Sequence, residues 1–405
     1  MWDRLLFAMD QFESGQTALD FVADVASTND ASVRVLHIRE VPRMAHAVPL
    51  ESPADADELV RNTVRSLSTL GIAAEGRSSS VFREHVARRM RRDGVDCTVD
   101  DVLILQGGQQ GLDLVGKLVL DPGDIVITED PTFLGALIAF APNEPTYAPV
   151  RTDDHGMDVE DLERVLARSP RAKLLYTVPD FQNPTGVTLT LERRRRLIEL
   201  ANEHDLIVLE DTPYRHLRYD GETLPTLKSL DTQGRVIFLG SFSKILTPGM
   251  RLGWAVASPP ILGRLGLLKL AADTQTSTLN MAAASAFMDQ FDLDAHIVDV
   301  CTAYRHKRDL MLQVLEAGMP ASVTFTRPAG GLFTWLTFPG GFDAAAFMRD
   351  EALPQARVAY VPGGTFYPVV QQPNHARLNF SAASDDTIRT GIGRLGELLE
   401  RSLPR

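Results

Sequence analysis

Residues 236–251 read VIFLGSFSKILTPGMR. The run Val236–Leu239 is short and wholly apolar, which predicts a buried strand. Lys244 follows it among small hydroxyl residues, and Arg251 comes seven positions after the lysine. A lysine at a strand end can reach into a cleft, while hydroxyls and an arginine can bind a phosphate. Taken alone, such a lysine is more often a surface residue, so other segments must support the interpretation.

Similar apolar runs recur on both sides of this segment. We predict further strands at Val102–Leu105, Ile125–Thr128, Lys173–Thr177, Leu206–Leu209 and Trp254–Ala257. Helical periodicity lies between several of them, at Leu112–Leu120, Val159–Arg168 and Leu191–His204. This alternation predicts an α/β domain with a mainly parallel sheet, which we assign to residues 81–285.

The pattern changes after about residue 285, where a long helix containing Tyr304 and Leu315 is predicted. The remaining predicted elements are strands at Val323–Thr326, Leu332–Thr337, Val358–Tyr360 and Arg377–Phe380, a helix near Ala344–Arg349 and a terminal helix from about Asp385. Together they predict a smaller α+β domain over residues 286–405.

Residues 1–80 are predicted to form a βαβα unit of their own. Its predicted elements are strands Leu5–Met9 and Val33–Ile38 around helix Thr17–Ala26, then helix Ala54–Leu70 and strand Ile72–Glu75. The polar stretch Gly76–Ser80 is interpreted as the connection to the large domain.

The composition excludes several classes of protein. A net charge of -12 argues against nucleic acid or an anionic membrane as a partner. The basic run Arg193–Arg196 is interpreted as a solvated helix face. Cys97 and Cys301 lack disulfide or metal-ligand spacing, and no apolar run approaches the roughly 18 residues of a membrane span. We therefore expect a soluble cytoplasmic protein without a metal site.

Four more segments carry polar residues beside predicted strands. Asp211 ends a buried strand, where a carboxylate is costly unless a cation pairs with it, although it could instead cap a helix. Gly107–Gly111 (GGQQG) lies between a strand and a helix, where free N–H groups favour a phosphate or simply allow tight packing. Asn183–Gly186 (NPTG) follows a strand and alone would be a loop, and Arg377 in a C-terminal strand could be a surface residue.

Together, and in this order, these segments resemble the fold-type I enzymes that use pyridoxal 5′-phosphate (PLP), specifically the class I/II aminotransferases related to 2-aminoadipate (multi-substrate) aminotransferases. The match runs from about Val81 to the end of the chain. The resemblance implies that Lys244 is the Schiff-base lysine and that Asp211 pairs with the pyridinium nitrogen. It also implies that Asn183 and Tyr214 donate to the phenolate oxygen.

The same resemblance implies the other contacts of the cofactor and substrate. Phe133 matches the aromatic residue that stacks on the cofactor ring. Arg377 matches the arginine that holds the substrate α-carboxylate, with Asn183 beside it. The phosphate would be held by Gly108, Gln109, Ser241, Ser243 and Arg251.

The implied reaction moves an amino group from an L-amino acid to a 2-oxo acid, for which 2-oxoglutarate is the expected acceptor. The family also implies a homodimer with active sites at the subunit interface. Thr274–Asn280 could then reach the neighbouring site, where Ser277 or Thr278 would touch the phosphate.

The N-terminal region departs from the family pattern. The usual arm with its Tyr-Gly segment is missing, and residues 1–75 instead resemble the front half of a universal stress protein domain. Arg4–Asp10 and Val33–Ile38 carry this resemblance, and Asp10 stands where that family contacts adenine nucleotides. The glycine-rich phosphate loop of that family is missing, so we do not expect nucleotide binding.

Two alternative functions remain open at the level of sequence. An altered pocket could favour decarboxylation, elimination or oxidation on the same cofactor. The protein could also be a PLP-binding sensor without catalysis. The complete set of Lys244, Asp211, Asn183, Tyr214 and Arg377 favours the aminotransferase.

Overall fold

The computed structural model describes residues 4–9, 23, 26, 27, 32–37, 62, 65 and 74–403. These residues contain three sheets, of three, eight and four strands. The first sheet lies in the N-terminal region, the second in the predicted large domain and the third in the C-terminal region.

The N-terminal sheet contains three parallel strands in chain order, β1 (Arg4–Met9), β2 (Ser32–His37) and β3 (Ala74–Ser78). The first two confirm predicted strands, and the third begins two residues later than predicted. The interpretation of Gly76–Ser80 as a connecting stretch is wrong, because Gly76 lies in β3 and a helix begins at Ser79. The helices predicted at Thr17–Ala26 and Ala54–Leu70 lie mostly outside the described residues, and Asp10 lies outside them altogether.

The eight-stranded sheet confirms the predicted α/β architecture. Its strands are β4 (Val102–Leu105), β5 (Ile125–Asp130), β6 (Thr146–Asp153), β7 (Gly156–Met157), β8 (Ala172–Thr177), β9 (Ile207–Asp211), β10 (Val236–Ser241) and β11 (Gly253–Val256). They are ordered β4-β11-β10-β9-β8-β5-β6-β7. Strand β11 runs antiparallel to β4 and β10, and β7 antiparallel to β6, while the other pairs are parallel. The carboxyl ends of β5, β8, β9 and β10 therefore meet at one edge, where α/β sheets bind ligands.

Helices cover the sheets and connect their strands. Their bounds are α1 (Ser79–Arg92), α2 (Gly108–Val119), α3 (Leu134–Phe140), α4 (Val159–Arg168), α5 (Leu191–Glu203), α6 (Leu227–Leu230), α7 (Pro259–Asp273), α8 (Thr278–Gln290), α9 (Leu293–Gly318), α10 (Ala344–Phe347) and α11 (Asp385–Ser402). A π-helical segment, Met348–Ala356, continues α10. None of the helices in the described part of the chain is long and apolar enough to cross a membrane.

Helix α1 packs into the core of the large sheet. Its Phe82 and Met90 are almost fully buried, on one face at helical spacing. The Phe82 ring lies 5.5 Å from the ring of Phe242, and the indole N–H of Trp254 points at the Met90 sulfur at 3.2 Å. Since Phe242 stands two residues before Lys244, α1 supports the loop that carries this lysine.

The C-terminal sheet is antiparallel, in the order β12 (Thr324–Phe325), β13 (Phe333–Thr337), β15 (His375–Asn379) and β14 (Val361–Pro362). The strand predicted at Val358–Tyr360 is wrong, since those residues are irregular and the strand begins at Val361. The predicted domain division remains a prediction. Its limits at residues 80 and 285 fall within α1 and α8.

The interpretation of Arg193–Arg196 as a solvated face is wrong for one of its members. Arg194 is fully buried and bonds at 2.7 Å to Asp180, which is also fully buried. Arg215 and Arg218 contact the same carboxylate at 3.1 and 3.3 Å. These contacts offset the cost of burying charge and tie α5 to the chain that follows β8.

Candidate active site

The predicted chemical residues converge at the carboxyl edge of the large sheet. Asp211 is the last residue of β9, and Lys244 follows the neighbouring strand β10 by three positions. Asn183 lies in the loop after β8, on the other side of β9. Arg377 reaches the same place from β15 of the C-terminal sheet.

Asp211 is a buried carboxylate with one side-chain hydrogen bond among its described contacts. The hydroxyl of Tyr176 donates to Asp211 Oδ2 at 3.0 Å. Burial raises the pKa of Asp211 to about 7, and this hydrogen bond opposes the shift. A cation beside Asp211 would restore the charged form, as the predicted pyridinium partner requires.

A chain of hydrogen bonds connects Arg377, Asn183 and Tyr214. Arg377 donates through a terminal guanidinium nitrogen to Asn183 Oδ1 at 2.7 Å. Asn183 Nδ2 donates to the Tyr214 hydroxyl oxygen at 3.3 Å. Because the guanidinium occupies the amide oxygen, the amide nitrogen must point at Tyr214. The Tyr214 hydroxyl accepts this bond, so its own proton is free to be donated to a third group.

Two aromatic rings hold the guanidinium of Arg377. Its central carbon lies 4.2 Å from the centre of the Phe333 ring and 5.1 Å from that of Phe366. Burial lowers the pKa of Arg377. Within residues 74–403 its buried Nε–H has no hydrogen-bond partner. Such a group fits the carboxylate of a substrate, which can accept two parallel N–H bonds.

The environment of Lys244 favours the neutral amine. Its side chain is half-buried, and burial lowers its pKa, with further lowering by the positive charges of Arg251 and Arg377. A neutral amine is the form that attacks a carbonyl carbon. Ser241 Oγ donates to Ser243 Oγ at 2.9 Å, so the two hydroxyls lie together at the end of β10.

The start of α2 forms a cradle beside these serines. Gly107 precedes the helix with φ of 78°, a conformation that favours glycine. A Cβ added to Gly107 would lie 2.8 Å from the Arg251 guanidinium, whereas one added to Gly108 would meet nothing within 4 Å. The free N–H groups of the first turn and Arg251 therefore fit an anionic group.

Phe133 and Gln109 lie together at the start of α3. A Cβ on Gly135 would be 2.4 Å from the Phe133 ring, so only a glycine leaves room for the ring at this position. The Gln109 side chain donates to the Gly135 carbonyl at 2.8 Å. Gln109 is the second residue of α2, so its backbone N–H is one of the first-turn groups without a partner inside the helix.

The polar segment Thr274–Asn280 has its own local contacts. Ser277 caps α8 by accepting from the Asn280 backbone N–H at 3.4 Å. The side chain of Asn280 donates to the Met250 carbonyl at 2.9 Å, beside the loop that carries Arg251. A contact of Ser277 or Thr278 with a neighbouring subunit remains a prediction.

Several residues around the site were not predicted from the sequence. Tyr176 stands in a predicted buried strand, where a tyrosine is usually a core residue. Phe333 and Phe366 are far from Arg377 along the chain, although two-residue alternation in β13 indicates that Phe333 faces one side of the sheet. Glu129 is buried near the end of β5 and accepts from Thr177 and Gln182, and burial raises its pKa to about 7.

The described side chains fit PLP as a cofactor. The buried Asp211 suits a cationic ring nitrogen, the Gly107–Gly108 cradle with Arg251 suits the phosphate, and Lys244 suits the aldehyde. A lysine and a buried carboxylate at neighbouring strand ends of such a sheet agree with the resemblance to PLP enzymes of fold type I.

The chain belongs to the aminotransferase class I and II family, whose sequence model matches residues 52–395. It is 42% identical over 309 residues to aromatic-amino-acid aminotransferase 1 of Thermococcus litoralis, covering 75% of this chain and 74% of the relative. It is 39% identical to 2-aminoadipate transaminase of Thermus thermophilus, over 74% of this chain and 76% of the relative. The protein is a PLP-dependent aminotransferase.

A solved structure with a bound cofactor derivative agrees with this assignment. The α-aminoadipate aminotransferase of Thermus thermophilus, complexed with N-(5′-phosphopyridoxyl)-L-leucine, is 37% identical with a TM-score of 0.75. The similarity covers 80% of this chain and 81% of that structure. Residues 1–94 also match the universal stress protein family, in agreement with the resemblance of the N-terminal region.

Proposed function

We propose that the protein transfers the amino group of a large L-amino acid, aromatic or 2-aminoadipate-like, to 2-oxoglutarate. The observation that carries this proposal is Arg377, bonded to Asn183 and held between Phe333 and Phe366. It provides a carboxylate site with an aromatic wall beside the cofactor residues. The names of the Thermococcus and Thermus relatives indicate the same two kinds of substrate.

Lys244 is the proposed catalytic residue. Its lowered pKa favours the neutral amine, which would hold the cofactor covalently and later carry a proton from the substrate Cα. Bound PLP supplies an electron-accepting ring that makes the Cα proton acidic. Arg377 would fix the α-carboxylate and so hold Cα within reach of the Lys244 amine.

Asp211, Asn183 and Tyr214 are proposed to control the charge of the cofactor. Asp211 would keep a proton on the ring nitrogen, and Tyr176 holds its carboxylate in place at 3.0 Å. Asn183 and Tyr214 would donate hydrogen bonds to the phenolate oxygen. The Arg377–Asn183 bond couples the substrate carboxylate site to this oxygen site.

The remaining cofactor contacts are proposed from the sequence and from the cradle at α2. Phe133 would stack on the ring. The groups proposed to hold the phosphate are Gly108, Gln109, Ser241, Ser243 and Arg251.

An aromatic cluster near Arg377 supports the proposal that the substrate has a large side chain. Trp335 pairs with Arg377 across β13 and β15, so both lie on one face of the C-terminal sheet. The Trp335 ring lies 5.7 Å from Phe366 and stacks on His375 at 5.3 Å. Tyr367 completes this cluster, which would select large and planar side chains.

We also propose that the protein is a homodimer, as in the family it belongs to. Leu267 and Leu279 are apolar and exposed by 39% and 59%. Leu267 precedes the Thr274–Asn280 segment and Leu279 lies within it, so a second subunit that covers both would also meet this segment. Sedimentation of the purified protein would decide between one and two subunits.

A single-turnover experiment tests the proposed reaction. The PLP-loaded protein is mixed with single amino acids, and conversion to pyridoxamine phosphate is followed by absorbance. We expect phenylalanine, tyrosine and 2-aminoadipate to convert the cofactor, and 2-oxoglutarate to reverse the change. Cofactor loss without pyridoxamine phosphate would indicate a different PLP reaction, and a spectrum that no amino acid changes would overturn the proposal.

A further inference from the structure

In the loop before α2, the backbone N–H and the backbone carbonyl of Gln106 each contact a side chain. Its backbone N–H donates to Gln110 Oε1 at 2.8 Å, and its carbonyl oxygen lies 3.5 Å from the Arg251 guanidinium. These contacts set the orientation of the peptide that leads into Gly107 and Gly108. The Gln110 side chain therefore helps to fix the conformation of the Gly107–Gly108 cradle.

Gln110 is itself oriented by a charged pair on α7. Its Nε2 donates to Asp273 Oδ2 at 2.7 Å, and Lys269 Nζ lies 3.4 Å from its Oε1. Lys269 also donates to Asp273 Oδ1 at 2.8 Å. Because the carboxylate takes the amide nitrogen and the ammonium faces the amide oxygen, the side chain has one favourable orientation. In that orientation its oxygen accepts from Gln106.

A contribution to the stability of the fold does not by itself explain why the Lys269–Asp273 ion pair is buried. Lys269 is 2% exposed, and a buried ion pair is often no more stabilising than apolar residues of similar size. Lys117 and Asp113 on α2 form a pair of the same spacing, at 2.7 Å, but on the protein surface. The buried pair differs in that its hydrogen bonds continue to the loop at Gln106.

We propose that Lys269 and Asp273 act through Gln110 as positioning residues for the phosphate of the cofactor. They keep the Gln106–Gly108 chain in the conformation that leaves the first N–H groups of α2 open. This inference rests on the proposed assignment of the phosphate to Gly108, Gln109 and Arg251.

The test compares two ligands that differ by the phosphate alone. The full-length protein is freed of cofactor and titrated with PLP and with pyridoxal, and binding is followed by absorbance. We expect Lys269→Met to weaken PLP binding about tenfold, as for the loss of one hydrogen bond to a charged group, and pyridoxal binding less than about twofold. Lys117→Met is the matched control and should change neither affinity.

A second variant tests the connection through the amide. Gln110→Met leaves the ion pair in place and should give the same selective loss of PLP affinity, with no further loss in the double variant. If Lys269→Met does not fold, Gln110→Met alone still tests the inference. An unchanged PLP affinity, or equal losses for both ligands, would overturn the inference. If the unaltered protein bound pyridoxal as tightly as PLP, the phosphate assignment would fail first and the inference with it.

Discussion

The hydroxyl of Tyr176 donates to a carboxylate oxygen of Asp211 at 3.0 Å, across neighbouring strands of the large sheet. Tyr176 is fully buried and Asp211 is 6% exposed. The bond favours the charged carboxylate, yet burial has the larger effect and raises the pKa of Asp211 to about 7. The cofactor-free site thus holds a carboxyl group that is ready to pair with a cation.

The raised pKa of Asp211 predicts how the stability of the cofactor-free protein depends on pH. Between about pH 4 and pH 7 the folded protein holds a proton that the unfolded chain has released. The free energy of unfolding therefore falls as the pH rises through this window. We expect Asp211→Asn to be more stable than the unaltered protein above pH 7, by on the order of a few kcal/mol, and similar to it near pH 4.

Urea denaturation at several pH values measures this difference. Asp154→Asn, which changes an exposed carboxylate, is the control and should follow the unaltered protein at every pH. Part of the pH dependence should persist in Asp211→Asn, because burial also raises the pKa values of Glu129 and Glu210 to about 7. If Asp211→Asn were less stable than the unaltered protein at high pH, burial would not destabilise the charged form of the Asp211 carboxylate.

Removal of the Lys244 amine should abolish the covalent attachment of the cofactor. We expect Lys244→Ala to show no PLP adduct by mass spectrometry after borohydride reduction, because this amine is the one proposed to form the imine. Lys173→Ala, on the surface beside Asp124, should keep the adduct. An adduct that persisted in Lys244→Ala would assign the imine to another lysine.

Loss of the Arg377 guanidinium should weaken the use of amino acids far more than the binding of PLP. We expect Arg377→Ala to lower the kcat/KM of the amino-acid half-reaction about 100-fold, because the two charge-assisted hydrogen bonds proposed to the substrate carboxylate would be lost. An amine without a carboxylate should react at a similar rate with both proteins. Arg349→Ala, which disrupts an exposed pair with Asp350, is the control. Equal losses for the amine and the amino acid would contradict the proposed carboxylate contact.

Two neighbouring arginines of α5 should differ strongly in their contribution to stability. Arg194→Met removes a buried charge from Asp180 and hydrogen bonds to backbone carbonyls, so we expect a loss of about 3 kcal/mol in the free energy of unfolding. Arg196→Met breaks surface pairs with glutamates and should cost less than about 1 kcal/mol. Denaturant titration of both variants measures the difference, and equal losses would show that burial of Arg194 is unimportant.

The sequence was sufficient to predict six of the eight strands of the large sheet and the residues at their ends, whereas β6 and β7 were not predicted. Lys244 and Asp211 each stand within a few positions of an apolar run, so the strand indicates where the side chain lies. Arg194, Tyr176 and Lys269 could not be found in this way, because their partners are distant in sequence or belong to another element. Each also stands where a solvated arginine, a core tyrosine or a surface lysine would be the ordinary expectation.

Helix α1 limits how the chain could have arisen by recombination. Both family matches include this helix, since one ends at residue 94 and the other begins at residue 52. Its Phe82 and Met90 pack against Phe242 and Trp254, below the loop of Lys244. A crossover at or before Ser78 would leave this packing intact, whereas a later one would replace the apolar support of the lysine. Selection for catalysis would therefore set the latest point at which two ancestral genes were joined.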